Sequence, residues 1–330
     1  MLRKKNCKEL IINMLDNYNV SVKTLVNDSE NKMYINKFPI YVINLKEDVI
    51  RRNYIHVIME KMNINYQMII VDRIQEDEYK SIKLYTNKKI TKGAFGCFLS
   101  HIWCLKNAIE NKYKNFIIFE DDIIFHKNFH FLFEKVIEEN KIIDLLRLGV
   151  CDFHFKENIK TVNNNIYIPI KNACGTHGLF FSLSFAELLF KYKLMNIQEY
   201  DTDLTKIGIH YKINHCVCFP NLVCDELSTT NIDHNYSFED EEAEKLYYKY
   251  CFNNNFNFHD YNFIYLSILT NIEGCIDYKE YINKSLLRYH INTQEKIKKR
   301  LIFLEYYAIT HYLCNPKIIW KNKLCLKELE

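Results

Sequence analysis

The sequence predicts an α/β protein whose open sheet is covered by helices, on three observations. Two short apolar runs, Ile40-Tyr41-Val42-Ile43-Asn44-Leu45 and Met68-Ile69-Ile70-Val71, flank a stretch with helical spacing of its apolar residues. Strand, helix and strand within so short a span make a βαβ unit. A third run, Phe116-Ile117-Ile118-Phe119, ends in Glu120-Asp121-Asp122. Open sheets bind ligands at the carboxyl ends of their parallel strands. A chain of 330 residues, 48% hydrophobic and 26% charged, is long enough for one large domain and an appendage.

Taken in order, residues 1–37 read as a leader, with one helix over Glu9 to Leu15 and a polar stretch before Phe38. The first strand follows, continuously apolar as buried parallel strands are. Asp48 then caps a helix carrying Ile50, Tyr54, Ile55, Ile58 and Met62 at spacings of three and four. The second strand ends at Asp72-Arg73. A longer helix, Ala94 to Glu110, has two unlike faces. Phe95, Phe98, Leu99, Ile102, Leu105 and Ile109 lie on one side, while Gly93, Gly96, Cys97, Ser100 and Cys104 gather on the other. The small face admits either a packed neighbour or a ligand. Residues 236–330 change character, with a helix start at Ser237 and aromatic-rich helical patterns such as Ile297 to Leu313, and read as a helical appendage.

Glycine and proline number 7 and 4, against the roughly 23 and 16 of average usage. Turns must rely on Asn and Asp, and an AT-rich coding sequence is implied. Five of the seven glycines lie between Gly93 and Gly178, so that stretch is expected to surround the site.

Several classes are excluded. Forty-four basic and 41 acidic side chains give +3, without the charge signature of a nucleic-acid binder. No signal peptide and no membrane-spanning run are visible, so a cytoplasmic location is expected. The 12 cysteines are scattered among apolar residues and read as reduced. Cys216-Val217-Cys218 has the alternation of a strand rather than the spacing of a zinc knuckle. No P-loop and no G-x-G-x-x-G occurs, so any phosphate is held differently.

Three carboxylates between apolar runs must be paired, hydrogen-bonded or bound to a cation. If extension continues past Glu120, alternation puts Glu120 and Asp122 on one side and Asp121 on the other. Oxygen ligands favour Mg²⁺ or Mn²⁺. Capping or pairing with Lys and Arg is the alternative use of these acids.

The ordered set of motifs resembles glycosyltransferase family 25, which contains lipopolysaccharide and collagen β-galactosyltransferases. Its residues are Val42-Ile43-Asn44-Leu45 with Arg51-Arg52, Gly96-Cys97-Phe98-Leu99-Ser100-His101, Phe119-Glu120-Asp121-Asp122 and Asp144-Leu145-Leu146-Arg147-Leu148-Gly149. Gly175-Thr176-His177-Gly178, Asp201, Asp203 and Pro220 follow, so that the likeness covers Phe38 to Ile232. Beyond Pro220 it departs, with Asn231 where the family commonly has Asp.

The resemblance implies a GT-A type nucleotide-sugar-binding sheet over residues 38–235 and hexose transfer, galactose or glucose first, from a UDP-sugar with inversion. The acceptor would be a hydroxyl of a glycan, lipid-linked glycan or protein. It implies Mn²⁺ (or Mg²⁺) at a DXD-like motif, held by Glu120 and Asp122 with Asp121 nearby. Asn44, Leu45, Arg51 and Asp72 would lie near the nucleotide. Ser100, on the small helix face, and His101 are further contacts, although a packed histidine is an equal reading of His101. His177 is either a turn histidine or a ligand contact. The general base is expected at Asp201 or Asp203, each of which could instead cap a helix. Two other classes remain: an inert sugar-binding or interaction module, and a metal-dependent phosphohydrolase or nuclease.

Overall fold

A computed structural model describes residues 2–26, 33–83, 85, 90–140, 142–150, 159–160, 166–169, 173–198, 200–201 and 203–225. The appendage expected over 236–330 lies outside the described residues. In chain order the elements are α1 (Leu2–Asp16), β1 (Val20–Leu25), β2 (Ile40–Leu45), α2 (Val49–Lys61), β3 (Tyr66–Val71), α3 (Glu76–Lys83), α4 (Lys92–Glu110), β4 (Asn115–Glu120) and β5 (Ile123–Phe125). They continue with α5 (Phe129–Glu139), β6 (Leu145–Arg147), β7 (Ile159–Lys160), β8 (Ile166–Ile168), β9 (Gly178–Ser182), α6 (Leu183–Lys193), α7 (Leu204–His210), β10 (His215–Cys218) and β11 (Val223–Asp225).

Among the described residues nine strands form one mixed sheet in the order β1-β3-β2-β4-β9-β6-β10-β8-β7, and β11 pairs with β5 in a separate ribbon. The expected βαβ unit is present: β2 pairs parallel with β3 (Ile43 opposite Ile69) and with β4 (Ile43 opposite Glu120). Asp48 caps α2, its carboxylate accepting from the Arg51 amide at 3.3 Å. Between β4 and β6 runs β9, antiparallel to both.

The alternation of β9 separates the two layers over the sheet. Phe181 faces a core built from α1, α4, α6 and α7, and stacks on Phe116 at 5.3 Å. Phe180 faces the other way and meets Phe38 and Phe133 edge-on. On that second side α2 and α5 adjoin, His130 donating to the Met62 carbonyl at 2.7 Å.

The leader belongs to this architecture. Cys7, Ile11 and Leu15 of α1 are buried in the first core, and β1 runs antiparallel to β3, Val20 opposite Val71. Its sequence hid this because the edge strand Val20-Ser21-Val22-Lys23-Thr24-Leu25 is largely exposed. The segment also covers the small face of α4. Tyr18 and Ser100 share a hydrogen bond at 3.1 Å, and Ser100 donates to the Gly96 carbonyl at 2.8 Å. A Cβ on Gly96 would meet Ile74 at 3.5 Å, so that face is a packing seam.

Cys97, Cys104, Cys216 and Cys218 are free thiols. Among the described residues no helix is long and apolar enough to cross a membrane.

Candidate active site

The parallel strands β2 and β4 end side by side, which sets Asn44 and Glu120 at the same edge. Beyond Glu120 the chain turns instead of continuing extended. This corrects the expected alternation: Asp121 and Asp122 both reach Arg51, whose Nη1 donates to each at 3.1 Å. Turn geometry lets consecutive side chains share one partner, which a strand forbids.

Arg51 comes from the first turn of α2 and is almost fully buried, with the Asp48 carboxylate 4.0 Å from its Nε. Asn44 completes the anchor, donating to Asp121 at 2.6 Å and to the Asp48 carbonyl at 3.1 Å. Burial pushes the Asp121 carboxyl up, against the pull of the Arg51 guanidinium. Arg52, the neighbour of Arg51, donates to Asn44 Oδ1 at 2.7 Å and to the Leu45 carbonyl at 3.2 Å. Asn44 and Arg51 thus spend their polar atoms on holding the acidic turn. Leu45 ends β2 and Asp72 directly follows β3, and Asp72 pairs with Lys46 at 3.2 Å and accepts from Asn19.

Glu120 faces a different set of partners. Its Oε1 accepts from His101 Nε2 at 3.0 Å and from Thr176 Oγ1 at 2.5 Å, with Cys97 Sγ at 3.8 Å. Burial alone would raise this carboxyl, but the hydrogen bonds and charge of His101, with Thr176, hold it at about 2. His101 is wholly buried and stacks on Tyr200, ring centroids 4.4 Å apart. Three carboxylates therefore divide by accessibility. The side chains of Glu120 and Asp122 remain 23% and 15% exposed, and that of Asp121 only 7%. An oxygen-ligated cation would fit the first two; Asp121 is committed to the anchor.

The two candidate bases separate as well. Asp201 accepts from the Gly175 amide at 3.0 Å, next to the Thr176 that binds Glu120. Asp203 is buried, 3.5 Å from the buried Lys193 ammonium, and accepts from Gln198. It occupies the N-cap position of α7 without capping it. Ser100 is 2% exposed and bonded to Tyr18 and Gly96, so it is a seam residue. His177 is likewise buried, behind Gly149.

Sequence reasoning gave Arg147 no role. Its guanidinium is fully buried and donates to the Asp201 carbonyl at 3.2 Å, to the Gly175 carbonyl and to His215 Nε2 at 3.3 Å. Burial, with the neighbouring Arg147 charge, pushes His215 well below the usual imidazole range, leaving it neutral and able to accept. The signal was available: a charge inside Leu145-Leu146-Arg147-Leu148 has to be satisfied by something. Gly175 itself holds φ at 104°, a region other residues avoid.

The model of "Glycosyltransferase family 25 (LPS biosynthesis protein)" matches residues 37–205, half of the chain. The chain belongs to glycosyltransferase family 25. All of the acidic turn, its Arg51 anchor and Asp201 fall inside that match. Among curated proteins, the human "Inactive glycosyltransferase 25 family member 3" is 35% identical over 69 residues, 20% of this chain and 12% of its own length. A Haemophilus influenzae protein named "Putative glycosyltransferase" is 28% identical over 141 residues, 40% of this family-25 chain and 50% of the relative. The alignments thus span half or less of those relatives. A crystal structure of a glycosyltransferase involved in the glycosylation of the major capsid of PBCV-1 overlaps at a TM-score of 0.33 and 11% identity, over 58% of this chain and 95% of that one.

Proposed function

We propose that this chain is a metal-dependent, inverting glycosyltransferase that moves a hexose from a UDP-sugar to a hydroxyl acceptor on a glycan, lipid-linked glycan or protein. The observation that carries this reading is the division of labour at the strand ends. Arg51 and Asn44 fix the acidic turn, while the side chains of Glu120 and Asp122 stay less buried than that of Asp121. These two would hold Mn²⁺ or Mg²⁺, which when bound supplies positive charge for the leaving diphosphate. His101 and Thr176 fix one Glu120 oxygen, so the carboxylate is oriented before the donor arrives. Leu45, at the end of β2, and Asp72, directly after β3, would border the nucleotide.

Asp201 would take the proton from the acceptor hydroxyl as it attacks the anomeric carbon. Its Oδ2 is oriented by the Gly175 amide and its backbone by Arg147. Asp203, neutralised by Lys193, would support the fold instead.

A thermal-shift panel of UDP, GDP, CMP and their sugars, with and without Mn²⁺, tests the donor half. One nucleotide should raise the melting temperature only with manganese, and Asp122→Ala should abolish that rise. With the donor identified, Asp201→Asn should lose transfer while still binding it. Unchanged transfer by Asp201→Asn would remove the base assignment. The second reading, a module that binds a sugar nucleotide without transferring it, is favoured by the inactive status in the human relative's name. Donor binding with no turnover of any acceptor would select it.

A further inference from the structure

The geometry points to a soft-metal site formed by Cys97, His101 and Glu120, separate in chemistry from the oxygen-ligated ion. Cys97 and His101 are four residues apart on α4 and therefore share a face, and Glu120 at the end of β4 turns toward them. The His101 Nε2 and Cys97 Sγ atoms lie 3.0 and 3.8 Å from Glu120 Oε1, and all three ligand atoms fall within 4.8 Å of one another. Among the described residues no other three His, Cys, Asp or Glu side chains converge this way. Tetrahedral zinc, with bonds of about 2.0–2.3 Å, separates its ligands by about 3.3–3.6 Å. Side-chain shifts of about 1 Å therefore close the site.

A thiolate, an imidazole and a carboxylate suit Zn²⁺ or Co²⁺, whereas Mg²⁺ and Mn²⁺ prefer oxygen alone. Three protein ligands leave a fourth position for water or a ligand oxygen. Two neighbours pre-set the ligands: Tyr200 stacks on the His101 ring, and Thr176 holds the Glu120 carboxylate. Binding forms bonds from Sγ, Nε2 and Oε1 to the ion. It releases the Cys97 thiol proton and the His101 Nε2 proton to water, leaving a neutral imidazole protonated on Nδ1. No electron is transferred. Because Glu120 is common to both sites, a soft ion here excludes the ion proposed at Glu120 and Asp122, and Zn²⁺ becomes an inhibitor. The site itself stands on three side chains, whatever the chain transfers.

Without an ion the same residues form a hydrogen-bonded knot, and the thiol separates the two readings. At 3.8 Å from Glu120 it contributes little to such a knot, but it is the soft ligand of a metal site. Titrating the full chain with Co²⁺ should give a thiolate-to-cobalt charge-transfer band that saturates at one equivalent. Cys97→Ser should lose the band while melting, metal-free, at the wild-type temperature. Asp122→Ala should keep it. No band in the wild type, or a band retained by Cys97→Ser, overturns the proposal. So does a band lost in Asp122→Ala, which would put the ion on the acidic turn. If Cys97→Ser melts low, Cys97→Ala replaces it under the same criteria. Failure of the nucleotide panel leaves this spectrum unaffected, so the two proposals fail independently.

Discussion

Glu120 shows how a single position takes its properties from partners far along the chain. A glutamate ordinarily titrates at 4.5, and His101 and Thr176 bring this one to about 2 in the folded protein. A depressed folded value stabilises the fold at every pH above the unfolded one, and the contribution disappears as pH falls from about 4.5 to about 2. Its full size is about 3 kcal/mol. Urea unfolding at stepped pH should therefore show wild type losing stability relative to Glu120→Gln across that interval. Parallel profiles would mean the carboxylate is not paired as described. The sequence exposed the acid triplet and the need for partners, because charge between apolar runs is visible locally. It could not say that Arg51 would serve both Asp121 and Asp122, since that depends on the turn after Glu120. Nor could it divide Asp201 from Asp203, which differ in whether Gly175 or Lys193 lies opposite.

At the scale of elements, glycine marks two different kinds of contact. A Cβ on Gly149 would collide with the Val223 carbonyl and stand 2.5 Å from His177 Nε2, where β11 crosses close behind β6. Neither backbone can give way, so Gly149→Ala should destabilise by at least about 2 kcal/mol. Gly96 differs: its added methyl would meet Ile74 at an ordinary 3.5 Å, inside a helix that gains from alanine. Gly96→Ala should be neutral or stabilising by up to about 1 kcal/mol. Thermal unfolding of the pair decides this, and equal losses would contradict the seam between α4 and its neighbours. In the sequence both positions were equally conspicuous, because scarcity of glycine reports that room is needed and not what fills it.

For the whole molecule, residues 2–25 form part of the domain. They bury Cys7, Ile11 and Leu15, join Lys106 to Asp16 at 2.7 Å and cover the edge of β3. At about 1.5–3 kcal/mol per buried aliphatic side chain, removing residues 1–26 should cost about 5 kcal/mol. The melting temperature should then fall by about 10–20 °C. Scanning fluorimetry of the truncated chain measures it; an unchanged transition would return the segment to the status of a leader. By itself the sequence determined what neighbouring residues decide: the βαβ unit, the Asp48 cap, the strand nature of Cys216-Val217-Cys218, the acidic strand end and the family motifs. Periodicity and caps are local, acting over a turn of helix or a pair of strand residues. Only the tertiary structure decided the antiparallel course of β9, the place of β1 at the sheet edge, the use of Ser100 as a seam and the meeting of Cys97, His101, Thr176 and Glu120. A burial pattern records that a side chain leaves water, while its partner is chosen by which distant segments the sheet brings alongside.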